Sequence, residues 1–413
     1  MPVIPNEHPT LWIKSTRSES LKGKTIVLAV TGSIAAVRSI ELAREFIRRG
    51  ADVHAIISKA ARDIINPMAL HYATGNEVIT DITGKVEHVE FFGNMGRADL
   101  LLIAPATANT ISKVASGIDD TPVTTFATTA IGAGKPVMIV PAMHEDMYNH
   151  PALLENIEKV KGWKIDLIGP KIEEGIAKIA SNDDIVLEVE RKIGDNSLCG
   201  KKILITSGAT AEPVDPIRIM TNRASGRTGI VLALEAYRKG GDVTIVHRNK
   251  METGNIKNMF AESAEQMTDA VLSELKKGYD LLISAAAISD YTLDTAGSKI
   301  KSGQDLTISF KPTRKLIKES RKAYPELKIV GFKAEAGIEK DELLKRARKT
   351  LDDTELDMIV ANEVSEKGMG TEDNNIHIIH ANKDETMSVS GSKSKIAIEL
   401  IDAIVKIFPE DKH

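Results

Sequence analysis

Two neighbouring stretches decide how the chain is read: "KKILITSGAT", Lys201–Thr210, and "IMTNRASGRTG", Ile219–Gly229. The first is a β-branched apolar run ending in small residues, the pattern of a buried strand. The second opens "RTGIVLALEAYRKGG", Arg227–Gly241, whose apolar residues recur at helical spacing. A strand, a turn of small residues and a helix start form a phosphate cradle, because the first N–H groups of a helix lack intrahelical acceptors. The dinucleotide fingerprint G-x-G-x-x-G is missing, and Asn222 and Arg223 stand where further glycines would be. The ligand implied needs a helix N-terminus, an amide side chain and a guanidinium at one spot.

The chain around this junction has 413 residues, enough for two or three domains. Its 42% hydrophobic and 27% charged residues allow each domain an ordinary core. With 4% aromatics and a formal net charge of −4, stacking platforms and bulk nucleic-acid binding are not expected. No apolar run approaches a membrane span, and "MPVIPNEHPTLWIKSTRSES" has no continuous apolar core of a secretory signal. One cysteine, Cys199, excludes an internal disulfide framework and fits a reducing cytoplasm.

The strand–helix pattern occurs twice. In the first half "TIVLAV", "DVHAIIS", "DLLLIAPAT", "PVMIVPA" and "WKIDLIG" are near-continuous apolar runs, as in parallel strands buried on both faces. Between the first two, Ile34, Val37, Leu42, Phe46 and Ile47 approximate one helical face, closed by Gly50. The second half restarts with "KILITSG", "DVTIVHR", "DLLISAAAISD", "KIVGFKAE" and "DMIVANE", then a hairpin in "NIHIIHANKDETMSVSG" and a closing helix in "KSKIAIELIDAIVKIF". The expectation is α/β with two doubly wound domains, residues 1–191 and 192–413, each binding ligands at the carboxyl ends of its strands.

In the first half Thr31, Gly32 and Ser33 lie between a strand and a helix, Ser58 at a second such junction, and Thr107, Asn109, Thr110 and Lys113 at a third. Each could be an ordinary capped turn. Three together favour a phosphorylated ligand. The words "TGSIAA", "APATAN", "SKVASGIDD" and "PAMHEDMY" make residues 21–180 similar to the flavin-dependent phosphopantothenoylcysteine decarboxylases. That resemblance implies a flavodoxin-like domain carrying FMN on Gly32, Ser33, Ile34, Ser58, Thr107, Asn109, Thr110, Ala142 and Met143, in trimers with flavin at the subunit boundary. It also implies His88 as the catalytic base. The family's chemistry oxidises the cysteine thiol to a thioaldehyde with flavin, releases CO2, and reduces and protonates the enethiolate. Two departures stand out. His144 replaces the asparagine that would hold the substrate carboxylate. The flap passage "GPKIEEGIAKIAS" contains no cysteine, leaving Lys178 or Glu174 as candidate proton donors.

The second half resembles phosphopantothenate–cysteine ligases from about Lys201 to Phe408, through "SGATAEPVDPIRIMTNRASGRTG", "SAAAISDY", "SKIKS", "GFKAE" and "ANEVS…GTEDNN". The whole chain resembles the bifunctional coenzyme A biosynthesis proteins that fuse the two, in an archaeal-looking variant. The implied chemistry begins when the carboxylate of 4′-phosphopantothenate attacks the α-phosphate of CTP, carried with Mg2+. The amine of L-cysteine then displaces the nucleotide from the acyl-cytidylate. The product, 4′-phosphopantothenoylcysteine, passes to the decarboxylase. Lys299 and Asn222 are the implied catalytic groups, Lys299 on the α-phosphate and Asn222 on the intermediate. Implied binding residues are His144 in the first half and Arg218, Ser284, Ala285, Ala286, Asp290, Phe332, Lys345 and Lys349 in the second. The ligase half is implied to dimerise. The family's third lysine is Ser302 here, and its "NPD" element reads Thr313–Lys315. Competing readings are a nicotinamide-linked dehydrogenase, which the missing fingerprint disfavours, and a non-enzymatic flavoprotein, which needs no second half. An active ligase fused to a weakened decarboxylase remains an alternative.

Overall fold

The computed structural model describes residues 8–173, 176–249, 255–301, 303, 306–363, 373–382 and 386–409. The chain is α/β throughout and divides into two compact units, Met1–Asp195 and Asn196–His413. The helix Asn182–Ile193, capped reciprocally by Ser181 and Asp184, carries the first unit through Lys192 before the division.

The first unit is built on five parallel strands in the order Asp52–Ile57, Thr25–Val30, Leu100–Ala106, Val137–Pro141, Asp166–Leu167. Successive side chains point to opposite faces, and both faces are covered. Ile26, Leu28 and Val30 pack with Leu42, Phe46 and Val189. Val27 and Ala29 pack with Ile111, Phe126 and Ile157. This explains the unbroken apolar runs.

One expected helical face is corrected. Residues Ile34–Arg38 form a 3-10 turn, and the α-helix begins only at Ser39 and ends at Ile47. Ile34 and Val37 are therefore out of phase with the buried Leu42, Phe46 and Ile47, and are 77% and 53% exposed.

The main sheet of the second unit has eight strands in the order Lys257–Phe260, Asp242–His247, Lys202–Ser207, Leu281–Ser284, Lys328–Glu335, Met358–Glu363, Asp373–His380, Thr386–Ser392. The first six are mutually parallel and the last two form the expected antiparallel hairpin. In the first unit the first strand lies between the second and third, and in the second unit between the second and fourth, so the connections change direction beside it in both. That reversal opens a crevice beyond the first strand's carboxyl end.

One edge of the second unit carries a buried charge. The Glu274 carboxylate accepts hydrogen bonds from Lys257, Lys277 (2.7 Å) and the Tyr279 hydroxyl (2.8 Å). Burial raises its pKa, but those three donors outweigh burial and hold it at about 2, against an ordinary 4.5. The folded-state value is depressed, so the stabilisation is complete above pH 4.5 and is lost as pH falls toward 2.

We predict that a chain beginning at Asn196 folds by itself, giving one cooperative transition and dispersed amide resonances. In that chain Glu274→Gln should lower stability at neutral pH and flatten its dependence between pH 4.5 and 2, as measured by urea unfolding across pH.

Candidate active sites at two strand edges

In the first unit the strand ends are tied edge to edge. The Thr31 hydroxyl donates to Pro105 O at 2.8 Å and accepts from Thr107 N at 3.1 Å, and Ala142 N donates to Ala106 O at 3.0 Å. Thr31 is thus fully engaged and buried, and is not a ligand hydroxyl as its position in sequence suggested. Ser33, Ser58 and Thr107 each cap the turn that follows, accepting from Ala35 N, Ala61 N and Thr110 N. Of these turns only Ala108–Ser116 is an α-helix of nine residues. Gly32 is dictated by approach rather than by backbone angle, because a Cβ there would lie 2.7 Å from Ala60 Cβ. Ile34 and Asn109 are exposed beside these turns, Thr110 and Ala142 are buried, and Met143 is half-buried.

His88 sits in the six-residue helix Glu87–Phe92, entered through Val86 at φ 48°. Phe91 and Phe92 anchor that helix in the core around Phe126, and the His88 ring meets Phe126 edge-on at 6.5 Å. Preceding it, Glu87 accepts from the Thr83 amide (3.0 Å) and hydroxyl. Burial raises the Glu87 pKa, but the Thr83 hydrogen bonds prevail and lower it, so the helix start stays anionic. His88 Nδ1 is buried without a hydrogen-bond partner. A ring with one orphaned nitrogen on a rigid aromatic base is suited to a partner that arrives with a ligand. His144, by contrast, is exposed, and its Nδ1 accepts from Asp146 N as the cap of the short helix Glu145–Tyr148. The structure does not link it to His88. Glu174 lies outside the described residues, as does the Lys178 side chain.

In the second unit the opening junction is assembled closely. The helix is Arg227–Arg238, beginning two residues after Ser225, with Gly226 as N-cap at φ 80° and no side-chain cap. The Ser207 hydroxyl donates to Gly226 O at 2.9 Å. A Cβ on Gly229 would lie 2.4 Å from Ser207 Oγ, so glycine is required for the helix to meet the strand. The first amides of this twelve-residue helix are consequently left for a ligand or water. Arg223 is exposed and makes no hydrogen bond or ion pair among the described residues.

The segment after Leu281–Ser284 corrects a second expectation. The strand stops at Ser284, and Asp290 lies six residues beyond, on a loop. Residues 285–289 leave the sheet to bond across the first strand's end: Ala286 N to Thr206 Oγ1, Ala287 N to Gly208 O and Ser289 N to Thr210 Oγ1. Asn222 joins this segment, its Nδ2 donating to Ala287 O at 3.0 Å. Asn222, Ala285 and Ala286 are therefore gathered at one edge, while Ser284 is buried in the strand. Asp290 is paired with Lys315 at 2.6 Å.

Lys299 is exposed. The expected phosphate cation Arg218 is committed elsewhere: its guanidinium donates to Asp215 Oδ2 at 3.0 Å and to Ile300 O at 3.2 Å. Phe332 is half-buried within Lys328–Glu335, and Lys345 and Lys349 lie on the exposed face of the helix Lys340–Asp353. Among the described residues no hydrogen bond or ion pair joins Phe332, Lys345 or Lys349 to Asn222. Among the described residues no group of three or more His, Cys, Asp or Glu side chains could hold a metal, and no helix is long and apolar enough to cross a membrane.

Sequence reasoning missed Asp215 and Glu212. Asp215 is buried and accepts from the amides of Ile217 and Arg218 at 2.8 Å and of Ile300 at 3.2 Å. Burial raises its pKa; the backbone amides and Arg218 outweigh this and lower it. Glu212 joins Ala264 N to Thr292 Oγ1. The available signal was "VDPIR", since an aspartate before proline commonly accepts from amides two and three residues on.

The flavoprotein family model matches residues 14–194, and the model of the DNA/pantothenate metabolism flavoprotein C-terminal domain matches residues 198–408. A coenzyme A biosynthesis bifunctional protein, CoaBC, of Thermococcus kodakarensis is 48% identical over 90% of this chain and 93% of its own. The chain belongs to the bifunctional coenzyme A biosynthesis proteins. A second family member, CoaBC of Methanocaldococcus jannaschii, is 40% identical over 97% of this chain and 98% of its own. A crystal structure of the C-terminal domain of a CoaBC is 27% identical and covers 52% of this chain and 98% of that one, with a TM-score of 0.44. In this family member, Gly229→Ala should force the helix Arg227–Arg238 off Ser207. A loss of about 1–3 kcal/mol is expected, read as a lower urea midpoint of the Asn196–His413 unit.

Proposed function

We propose a division of labour in which residues 196–413 ligate and residues 1–195 decarboxylate. The chain is a bifunctional enzyme of coenzyme A biosynthesis, with a ligase step followed by an FMN-dependent decarboxylase step. Its substrates in this reading are 4′-phosphopantothenate, L-cysteine and CTP, and its intermediate product is 4′-phosphopantothenoylcysteine. The observation that carries the ligase assignment is the uncapped N-terminus of Arg227–Arg238 beside Asn222, an arrangement made for an anion next to an acyl group.

For ligation, the helix amides receive phosphate charge, and Mg2+ accompanies the triphosphate. Lys299 places a fixed cation where charge grows on the α-phosphate as the substrate carboxylate attacks. Asn222, oriented by Ala287 O, holds the acyl-cytidylate while the cysteine amine displaces the nucleotide. Asp290, paired with Lys315, accepts from the ribose or base of the nucleotide in this reading.

For decarboxylation, the residues fit FMN: the orphaned His88 Nδ1 and the close turn at Gly32 favour a ligand at this edge. The parallel order, with a reversal beside Thr25–Val30, supports a flavodoxin-like, doubly wound reading of the first unit. Gly32, Ser33, Ile34, Ser58, Thr107, Asn109, Thr110, Ala142 and Met143 would hold the flavin, which when bound supplies two-electron redox chemistry at the cysteinyl thiol. His88 takes a proton from the reacting group, its ring fixed by Phe126. His144 donates to the substrate carboxylate in place of an asparagine. The protein acts in the cytoplasm as a homo-oligomer, trimers in its decarboxylase part and dimers in its ligase part.

A second reading keeps the ligase and weakens the decarboxylase. It is favoured by the flap passage, where "GPKIEEGIAKIAS" offers no cysteine and Cys199, exposed in the second unit, is no substitute.

The deciding assay gives the purified protein 4′-phosphopantothenate, cysteine, CTP and Mg2+ and follows products by mass spectrometry. Formation of 4′-phosphopantetheine with CO2 is expected; 4′-phosphopantothenoylcysteine alone would favour the second reading. The protein should be yellow and release FMN on denaturation. His88→Asn should lower CO2 release by roughly 10²–10⁴-fold while flavin and ligation persist. Lys299→Gln should slow pyrophosphate release by about 10²–10³-fold, with or without cysteine. Asn222→Asp should instead slow turnover and let acyl-cytidylate accumulate.

A further inference from the structure

The exposed Lys299 and Lys301 flank Ile300, and both peptide units around Ile300 are held from one place. Its amide donates to Asp215 Oδ2 at 3.2 Å, and its carbonyl accepts from Arg218 Nη1 at 3.2 Å. Arg218 in turn donates to Asp215 Oδ2 at 3.0 Å, closing a ring of three contacts. The other Asp215 oxygen accepts from the amides of Ile217 and Arg218, both at 2.8 Å. The carboxylate is wholly buried, with a side-chain exposure of 0%. Two more bonds dock the same loop: Ala296 N to Val214 O at 3.0 Å and Thr295 Oγ1 to Pro213 O at 3.0 Å.

Asp215 also closes the turn of a hairpin. Ala211–Pro213 pairs antiparallel with Ile219–Thr221, and Val214 N donates to Arg218 O across the turn. The second hairpin strand runs straight into Asn222. One buried carboxylate therefore connects the strand that delivers Asn222 with the loop that delivers Lys299, across more than eighty residues of sequence.

We infer that Asp215 is a positioning residue for ligation: it and Arg218 clamp the Ile300 peptide so that Lys299 is presented to the phosphate edge where Asn222 stands. The inference rests on the ligase roles proposed for Lys299 and Asn222. A lysine on an irregular loop samples many rotamers and offers little oriented charge. Clamping the backbone on both sides of its neighbour removes most of that freedom before substrate arrives, which is what electrostatic stabilisation of a transition state requires. An Asp215→Asn side chain keeps the shape. Its amide nitrogen would face two donors in either orientation, the Ile300 N–H and the guanidinium in place of Oδ2 or the Ile217 and Arg218 amides in place of Oδ1, so the ring cannot close with all donors satisfied.

The test uses the full chain, following pyrophosphate release from CTP with 4′-phosphopantothenate for wild type, Asp215→Asn, Lys299→Gln and the double variant. Asp215→Asn should lower kcat on the order of a hundredfold. Its KM for CTP should change by no more than about twofold, because the lysine acts in the transition state. In the Lys299→Gln background, adding Asp215→Asn should cost nothing further, since the residue acts through that lysine. Decarboxylation of supplied 4′-phosphopantothenoylcysteine should be untouched. Losses that multiply in the double variant, or a parallel fall in decarboxylation, would mean general disruption and would overturn the inference. Wild-type release by Asp215→Asn beside a crippled Lys299→Gln would overturn the clamp alone, whereas wild-type release by Lys299→Gln would overturn the site assignment. Should Asp215→Asn fail to fold, hydrogen exchange of the native protein decides. The Ile300 amide should be protected, and exchange at the rate of an open loop would sink the clamp.

Discussion

A parallel sheet cannot leave a face in water, because its strands are joined by crossovers that must pack back on both sides. Everything else in the two units follows from that constraint. Ile26, Leu28 and Val30 serve one layer of helices while Val27 and Ala29 serve the other, so no side chain within the strand is available for chemistry. Chemistry is confined to the carboxyl edges, where chain direction reverses beside the first strand and backbone groups are left uncovered. Two units with different reactions place their candidate residues at the same kind of edge for this reason.

At those edges, approach distance decides which residues are tolerated. Gly32 meets Ala60 and Gly229 meets Ser207 closely enough that a methyl group would collide with either neighbour. The glycines are therefore packing residues first. By letting the helix Arg227–Arg238 start against the strand without a side-chain cap, Gly226 and Gly229 also leave its amides open. Tight packing and open amides have one cause here.

Buried carboxylates provide the long-range connections that turns alone do not. Asp215, Glu212 and Glu274 are each buried and surrounded by donors, and those of Asp215 and Glu212 come in part from distant segments. An ionised carboxylate in such surroundings persists only when its lone pairs are filled, so it selects the arrangement that supplies the donors. In the second unit this ties the hairpin that runs into Asn222 to the loop that carries Lys299. In the first, the same kind of linkage is made by the neutral Thr31 hydroxyl between Pro105 and Thr107.

The strands were legible in the sequence because two-sided burial writes a continuous apolar run, and the late hairpin because its pattern is local. The close approach at Gly226 and Gly229 was legible too, since it admits only glycine. Ile34 and Val37 were misread because a 3-10 turn shifts the phase of a helix by a residue or more, and nothing local in "SIAAVRS" marks that shift. Arg218 looked like a free cation because its partner's burial depends on Ile300, far along the chain. Asp290 seemed to end a strand because "LLISAAAISD" is mostly apolar up to it, yet its last residues bond across the first strand's end instead. Sequence by itself determined which segments are buried and where strand, turn and helix start adjoin, because both depend on near neighbours. Which side chains are already paired, and so which remain for a ligand, was decided only by tertiary structure, because pairing depends on donors from segments that meet only when the sheet closes.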